Sequence, residues 1–385
     1  MITNEAPGEE ERASVPPPAG ESFAVAIEGE LPAAPWTLAS TPWPRSGGCL
    51  KGSRSTAVVG PRGGTLRELF VLPGKPNPTR QRYARSGVAT AGDGFRVTSR
   101  RKLFAFDGEG ALRWQTPMLG PQSRYETTPL MLEGDVSVVG LDHLIAFVDA
   151  EGTVARVRLE GGGLDDTGHS PNLTRDGRLV LTGPLREVSV LDPAGGRSLG
   201  PHGLDIAPPA VTDDGALVVA GFGGDGLVLL DPATGAARAR GADLEVDQMP
   251  TVGPGGRIAV GSSLGPGWIL ERDGATVASG SAQAFAALEH EWRALSYGSL
   301  RALDADGELR WETPMGDGFE VGWHLRLVVD REGTTYVPLH RSVVAVDAEG
   351  AVRFEVDTRE RPTDIAPLAD GRMVVVTAAR VLLLE

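Results

Sequence analysis

A single cysteine, Cys49, in 385 residues excludes an internal disulfide and a cysteine-rich metal site. Positive charge is also short. The chain has 37 Lys and Arg against 51 Asp and Glu, a formal net charge of -14. That balance argues against a nucleic-acid backbone or an anionic membrane surface as partner and favours cationic partners, while also serving solubility. No apolar run approaches the length of a membrane span. The opening MITNEAPGEEERASVPPPAG has neither the basic nor the apolar stretch of an export signal, so a cytoplasmic protein is expected. SGGC, ending at Cys49, has small residues like those of a lipoprotein cleavage site, but no apolar core precedes it. An exported or lipidated form is expected only if translation starts elsewhere. Helical periodicity is missing as well.

What the chain does have is repetition. LFAFDGEGALRW (residues 103–114) returns as LRALDADGELRW (residues 300–311), and LIAFVDAEGTVARV, VSVLDPAGGRSL, LVLLDPATGAARA, WILERDGATVAS and VVAVDAEGAVRF are further copies. Asp107, Asp149, Asp192 and Asp231 are spaced by about forty residues, as are Asp304 and Asp347 after an irregular copy, a period that suits a four-stranded propeller blade. Before most copies lies a second short apolar run, such as GRLVLTG or GRMVVVT, rich in Val and Leu and bounded by Gly, Asp and Pro. These are strand signals. The Asp is placed to accept backbone N–H groups as the chain reverses, and the following Gly supplies a positive φ. Trp114 and Trp311, with Phe354 at the corresponding place, fall at one offset after that Gly and are read as structural wedges between neighbouring sheets.

The C-terminal GRMVVVT and VLLLE stop one outer strand short of a blade, while GTLRELFVL (residues 64–72) has no copy of its own to join. Pairing the two completes the ring and removes the open sheet edges. The fold class is therefore all-β: one closed β-propeller of eight four-stranded blades over residues 64–385, closed by its N- and C-terminal strands. Residues 36–63 are expected as a lead-in packed on the propeller. Residues 1–35, acidic and Pro-rich, are expected to be a disordered tail, with SFAVAIEGEL its one piece of strand character.

The spelling A-x-D-x-x-G-x-x-x-W at Ala105–Trp114 and Ala302–Trp311 resembles the repeat of the pyrroloquinoline-quinone-like β-propellers, and the likeness covers residues 41–385. The approach through Trp43, Pro44, Gly52, Arg54, Ser55, Gly60 and Pro61 is similar to the stretch leading into the first strand of such proteins. The resemblance implies the fold. It leaves function open, because the family holds quinone-dependent dehydrogenases, outer-membrane assembly scaffolds and many binding proteins. The dehydrogenases share an adjacent-cysteine disulfide over the quinone, which one cysteine cannot make, and their calcium ligands map onto no stretch here. The quinone is therefore not expected.

GFGGDG (Gly221–Gly226) has the letters of a dinucleotide fingerprint, but the strand-like LVLLD follows it where a helix is required, so it reads as a hairpin turn. More informative are the connections into the innermost strands, where polar residues recur: Glu126, Asp166, His169, Asp205, Asp247, Glu320, His324 and Asp364. In a propeller such connections converge on one mouth of the channel. Asp and Glu also cap turns and are solvated there. As a ligand site, they form an acidic funnel for a cationic small molecule or protein. His169 beside Asp166, with His324, could instead supply general acid–base chemistry. Two readings therefore stand. One is a non-catalytic scaffold presenting an acidic mouth. The other is a cofactor-independent lyase, cyclase or hydrolase, with a quinone- or metal-dependent oxidoreductase behind it.

Overall fold

The computed structural model describes residues 22–45, 48–73, 86–92, 94–99, 102–117, 128–141, 144–159, 170–182, 187–201, 208–220, 226–241, 244, 246, 248–262, 265–316 and 327–385. Every sheet is antiparallel, and there are eight. Blades 1 to 7 occupy residues 87–117, 130–159, 172–201, 210–241, 251–280, 284–314 and 328–357 in chain order. Blade 8 takes its three inner strands from residues 362–384 and its outer strand from Leu66–Val71, in the register Leu66↔Leu384 to Val71↔Arg380. The ring thus closes through its two ends, as the unpaired runs in the sequence required. Pro254–Gly256, a single 3-10 turn, is the only helix among the described residues.

The repeat spelling has a direct structural cause. Asp107 Oδ1 accepts the N–H groups of Glu109 and Ala111, and Asp149, Asp304 and Asp347 accept the corresponding pairs. The glycine three residues on has φ between 86° and 92° in these four copies (Gly110, Gly152, Gly307, Gly350), a region closed to most side chains. Both faces of each blade are apolar, so the hydrophobic clusters sit between neighbours. One joins Phe104 and Phe106 of blade 1 to Val375 and Leu383 of blade 8 and Tyr336 of blade 7.

Arg96, Ala105 and Trp114 lie opposite one another across three strands of blade 1, and Arg293, Ala302 and Trp311 repeat the row in blade 6. Alanine in the middle leaves space for the guanidinium to reach over the indole, at 5.1 Å and 5.0 Å from the ring centroids. Each indole N–H donates to the turn of the next blade, Trp114 to the Ala150 carbonyl at 2.6 Å and Trp311 to that of Ala348 at 2.7 Å. These tryptophans are therefore inter-blade wedges. Tyr336, Ala345 and Phe354 form the same row in blade 7.

The expected disordered tail to residue 35 is corrected from residue 22 onward. Ser22–Phe23 pairs with the outer strand of blade 3, and Val25–Glu28 with that of blade 2, making both sheets five-stranded. The segment needs no core of its own. It satisfies the backbone groups of two open edges and sets Phe23, Val25, Leu31 and Trp36 against the cluster between blades 2 and 3.

Candidate functional site

The two ends of the central channel differ. At one end the lead-in segment bonds to successive innermost strands. The carbonyls of Trp43, Pro44, Leu50, Lys51, Ser53 and Arg54 accept N–H groups from Thr90, Met131, Val211, Val252, Ala287 and Val329, at 2.7 to 2.9 Å. Those donors belong to blades 1, 2, 4, 5, 6 and 7, and the Asn172 side chain of blade 3 also donates to the Leu50 carbonyl, at 3.3 Å. Arg45 and Arg54 are fully buried within this layer. Arg45 donates to the carbonyls of Cys49 and Pro209, and Arg54 to that of Phe285. Beyond them, Asp330 accepts from the Gly60 N–H at 2.9 Å and the Tyr336 hydroxyl at 3.2 Å, and that hydroxyl also reaches the Pro61 carbonyl at 3.0 Å. Burial, then the Asp330 carboxylate, pushes the Tyr336 hydroxyl well above the ordinary tyrosine range, so it remains a neutral donor.

At the opposite end the innermost strands begin. Glu126, Asp166, His169, Asp205, Asp247, Glu320 and His324 lie outside the described residues. Asp364 is described, and it is 1% exposed. One oxygen accepts the Val88 N–H of blade 1 at 2.8 Å and the Thr128 hydroxyl at the entrance of blade 2 at 3.2 Å, and the other accepts the Ile365 N–H at 3.0 Å. Thr128 in turn donates its N–H to Ser170 Oγ, before blade 3. Asp364 therefore ties blades 8, 1 and 2 together. This contact needs Gly87, where a Cβ would stand 2.5 Å from Thr128 Oγ1 and 2.6 Å from its Cα.

Among the described residues no cluster of three or more His, Cys, Asp or Glu is arranged to hold a metal. Asp304 in DADGE caps its own turn, as its siblings do. Residues 221–225 of GFGGDG lie outside the described residues, and the strands either side, Leu217–Ala220 and Leu227–Leu230, pair antiparallel. Cys49 Sγ stands 3.2 Å from the Ser53 hydroxyl within the lead-in.

Two features went unread in the sequence. The arginines beneath the tryptophans carried a signal, since Arg96 precedes Trp114, Arg293 precedes Trp311 and Tyr336 precedes Phe354 by the same eighteen residues. The blade-by-blade course of the lead-in carried none, because its bonds are made by backbone carbonyls.

Residues 296–383 match the family model described as "Outer membrane protein assembly factor BamB", a PQQ-type repeat model, which agrees with the repeat resemblance. No curated protein matches the sequence. Among solved structures, BamB from Moraxella catarrhalis is 17% identical with a TM-score of 0.61, over 83% of this chain and 97% of that one. The WD40 β-propeller domain of Doa1 is 10% identical with a TM-score of 0.51, over 84% and 97%. A streptogramin B lyase is 11% identical with a TM-score of 0.50, over 83% and 97%. At these identities the likeness is one of fold. No helix among the described residues is long and apolar enough to cross a membrane.

Proposed function

We propose that this chain is a non-catalytic scaffold that binds a cationic small molecule or a basic protein segment at one mouth of its ring. The observation that carries the reading is the lead-in layer. The carbonyls of Trp43 to Arg54 are bonded to innermost strands around one end of the channel, so that end is occupied by the chain itself. Binding then falls to the opposite mouth, where the chain enters the inner strands. The sequence sets Glu126, Asp166, Asp205, Asp247 and Glu320 shortly before those entrances, in a chain of net charge -14. Carboxylates gathered around a narrow opening attract counter-ions, an effect that salt weakens over a Debye length of about 8–10 Å. Asp364 serves this mouth as a fastening, since its oxygens are already engaged.

The test uses a short lysine-rich peptide titrated calorimetrically at low and high salt. Binding weakens with salt, and the double substitution Asp205→Asn, Asp247→Asn lowers affinity about tenfold at unchanged Tm. Affinity unchanged by the double substitution, or preference for an anionic or apolar ligand, overturns the reading.

A further inference from the structure

Blades 5 and 6 leave a cavity of about 340 Å³ between them, walled by Ile269, Ala278, Phe285 and Leu303 and rimmed by Ser279 and the Arg301–Glu312 ion pair. The cavity lies where other joints hold a wedge. A Cβ built on the turn glycine of the following blade would meet Trp114 (from Gly152, 3.2 Å), Trp311 (from Gly350, 2.9 Å) or Leu69 (from Gly110, 2.4 Å). At the joint of blades 5 and 6 the corresponding Gly307 faces the methyl of Ala278. The pairing agrees: Ala278 stands opposite Ile269 as Trp114 stands opposite Ala105 and Trp311 opposite Ala302. Blade 5 therefore has alanine where a wedge is due, and the deficit appears as open volume.

A second observation concerns the strand that borders this volume. Thr276–Gly280, TVASG, is the outer edge of blade 5 and carries no charge. Each of the other seven outer strands contains at least one arginine. Edge charges are a usual obstacle to unwanted strand addition, and this edge lacks them.

A third observation shows how the same chain treats the same deficit elsewhere. Blades 2 and 4 also have alanine at the wedge position, Ala155 opposite Phe147 and Ala239 opposite Leu229. Blade 4 keeps four strands, and Trp268 of blade 5 packs on the same cluster as Ala239. In blade 2 the chain adds Val25–Glu28 as a fifth strand and sets the Trp36 ring 5.2 Å from Phe147. No described strand does this for blade 5.

We propose that the joint of blades 5 and 6 is a peptide-binding site. An extended, uncharged segment of a partner protein adds as a fifth strand along Thr276–Gly280 and seats one aromatic side chain in the cavity. Backbone hydrogen bonds supply the strand pairing, and the ring supplies the selectivity. A volume at the low end of the usual range for ligand pockets, about 300–1,000 Å³, takes a single aromatic group rather than a larger ligand. The site is on the outer flank of the ring and does not depend on the channel mouth.

The probe is a capped pentapeptide alternating threonine and valine about a central tryptophan, titrated against the full-length protein. Saturable binding is expected, with amide exchange slowed at residues 276–281, and replacing the central tryptophan by alanine weakens it at least about tenfold. Ala278→Phe, which fills the cavity, has the same effect. Should that variant not fold, Ser279→Lys tests the edge independently, because Ser279 is exposed. It lowers affinity about tenfold at unchanged Tm. Absence of saturation, protection confined to other residues, or full affinity in Ser279→Lys overturns the proposal.

Discussion

The guanidinium of Arg293 lies 5.0 Å above the indole of Trp311, inside a blade whose Arg293 side chain is completely buried. Its ion pair with Glu291, at 2.8 Å, lacks hydrogen-bond alignment, so the indole face is a principal partner of the charge. A desolvated contact of this kind contributes up to about 2 kcal/mol. Trp311→Ala should therefore cost about 3 kcal/mol, by opening the joint to blade 7 and stranding the arginine. In a double-mutant cycle with Arg293→Met, urea denaturation should show a coupling of about 1 kcal/mol. Additive losses would mean that the stacking contributes nothing.

Asp364→Ala leaves the Val88 and Ile365 amides and the Thr128 hydroxyl without this acceptor. A loss of about 3 kcal/mol follows, read by urea unfolding. A variant that keeps its stability but loses binding of a cationic ligand would instead return this carboxylate to the mouth as a ligand group.

Deleting residues 22–30 uncovers the outer strands of blades 2 and 3. Amide exchange at Val154–Leu159 and Gly195–Pro201 should accelerate while blades 5 to 7 keep their protection. Unchanged exchange at both edges would show that the added strands hold nothing in place.

A hydrogen bond from Arg238, at 2.5 Å, and then the backbone N–H of Ala233 hold the Asp231 carboxyl down at about 2. A folded-state value below the ordinary 3.8 stabilises the fold above that ordinary value, and the contribution is lost as pH falls toward the folded value. The Tm difference between the native chain and Arg238→Gln should therefore be widest above about pH 4 and close as pH approaches 2. A difference that stays constant across this window would contradict the assignment.

The fold was legible because its determinants are local. Asp107 and its siblings must cap a turn, the following glycine must take positive φ, and both demands recur between short strand-like runs with a period that suits a four-stranded blade. The unpaired Leu66–Val71 and the short C-terminus could be matched by elimination. Two things were not legible, for different reasons. SFAVAIEGEL showed strand character, but the partners of Ser22–Phe23 and Val25–Glu28 are edges more than a hundred residues away, which no local pattern names. Asp364 reads like any carboxylate near a strand entrance. Its role is set by Gly87, whose missing Cβ lets Thr128 come close, and no local pattern links the three.

The closing blade also has a consequence in time. Leu66–Val71 leaves the ribosome early, but Arg380–Leu384, the strand it pairs with, follows roughly three hundred residues later. At about 5–20 residues per second, that is a wait of roughly 15 to 60 s. From Trp43 to Arg54 the carbonyls bonded to inner strands meet their donors in the order of synthesis: Trp43 with blade 1, Pro44 with blade 2, Leu50 with blade 4, then Lys51, Ser53 and Arg54 with blades 5, 6 and 7. Each newly made blade thus has a waiting site on a segment translated before it, and the nascent chain can assemble vectorially. Leu66–Val71 stays unmated until Arg380–Leu384 has been made.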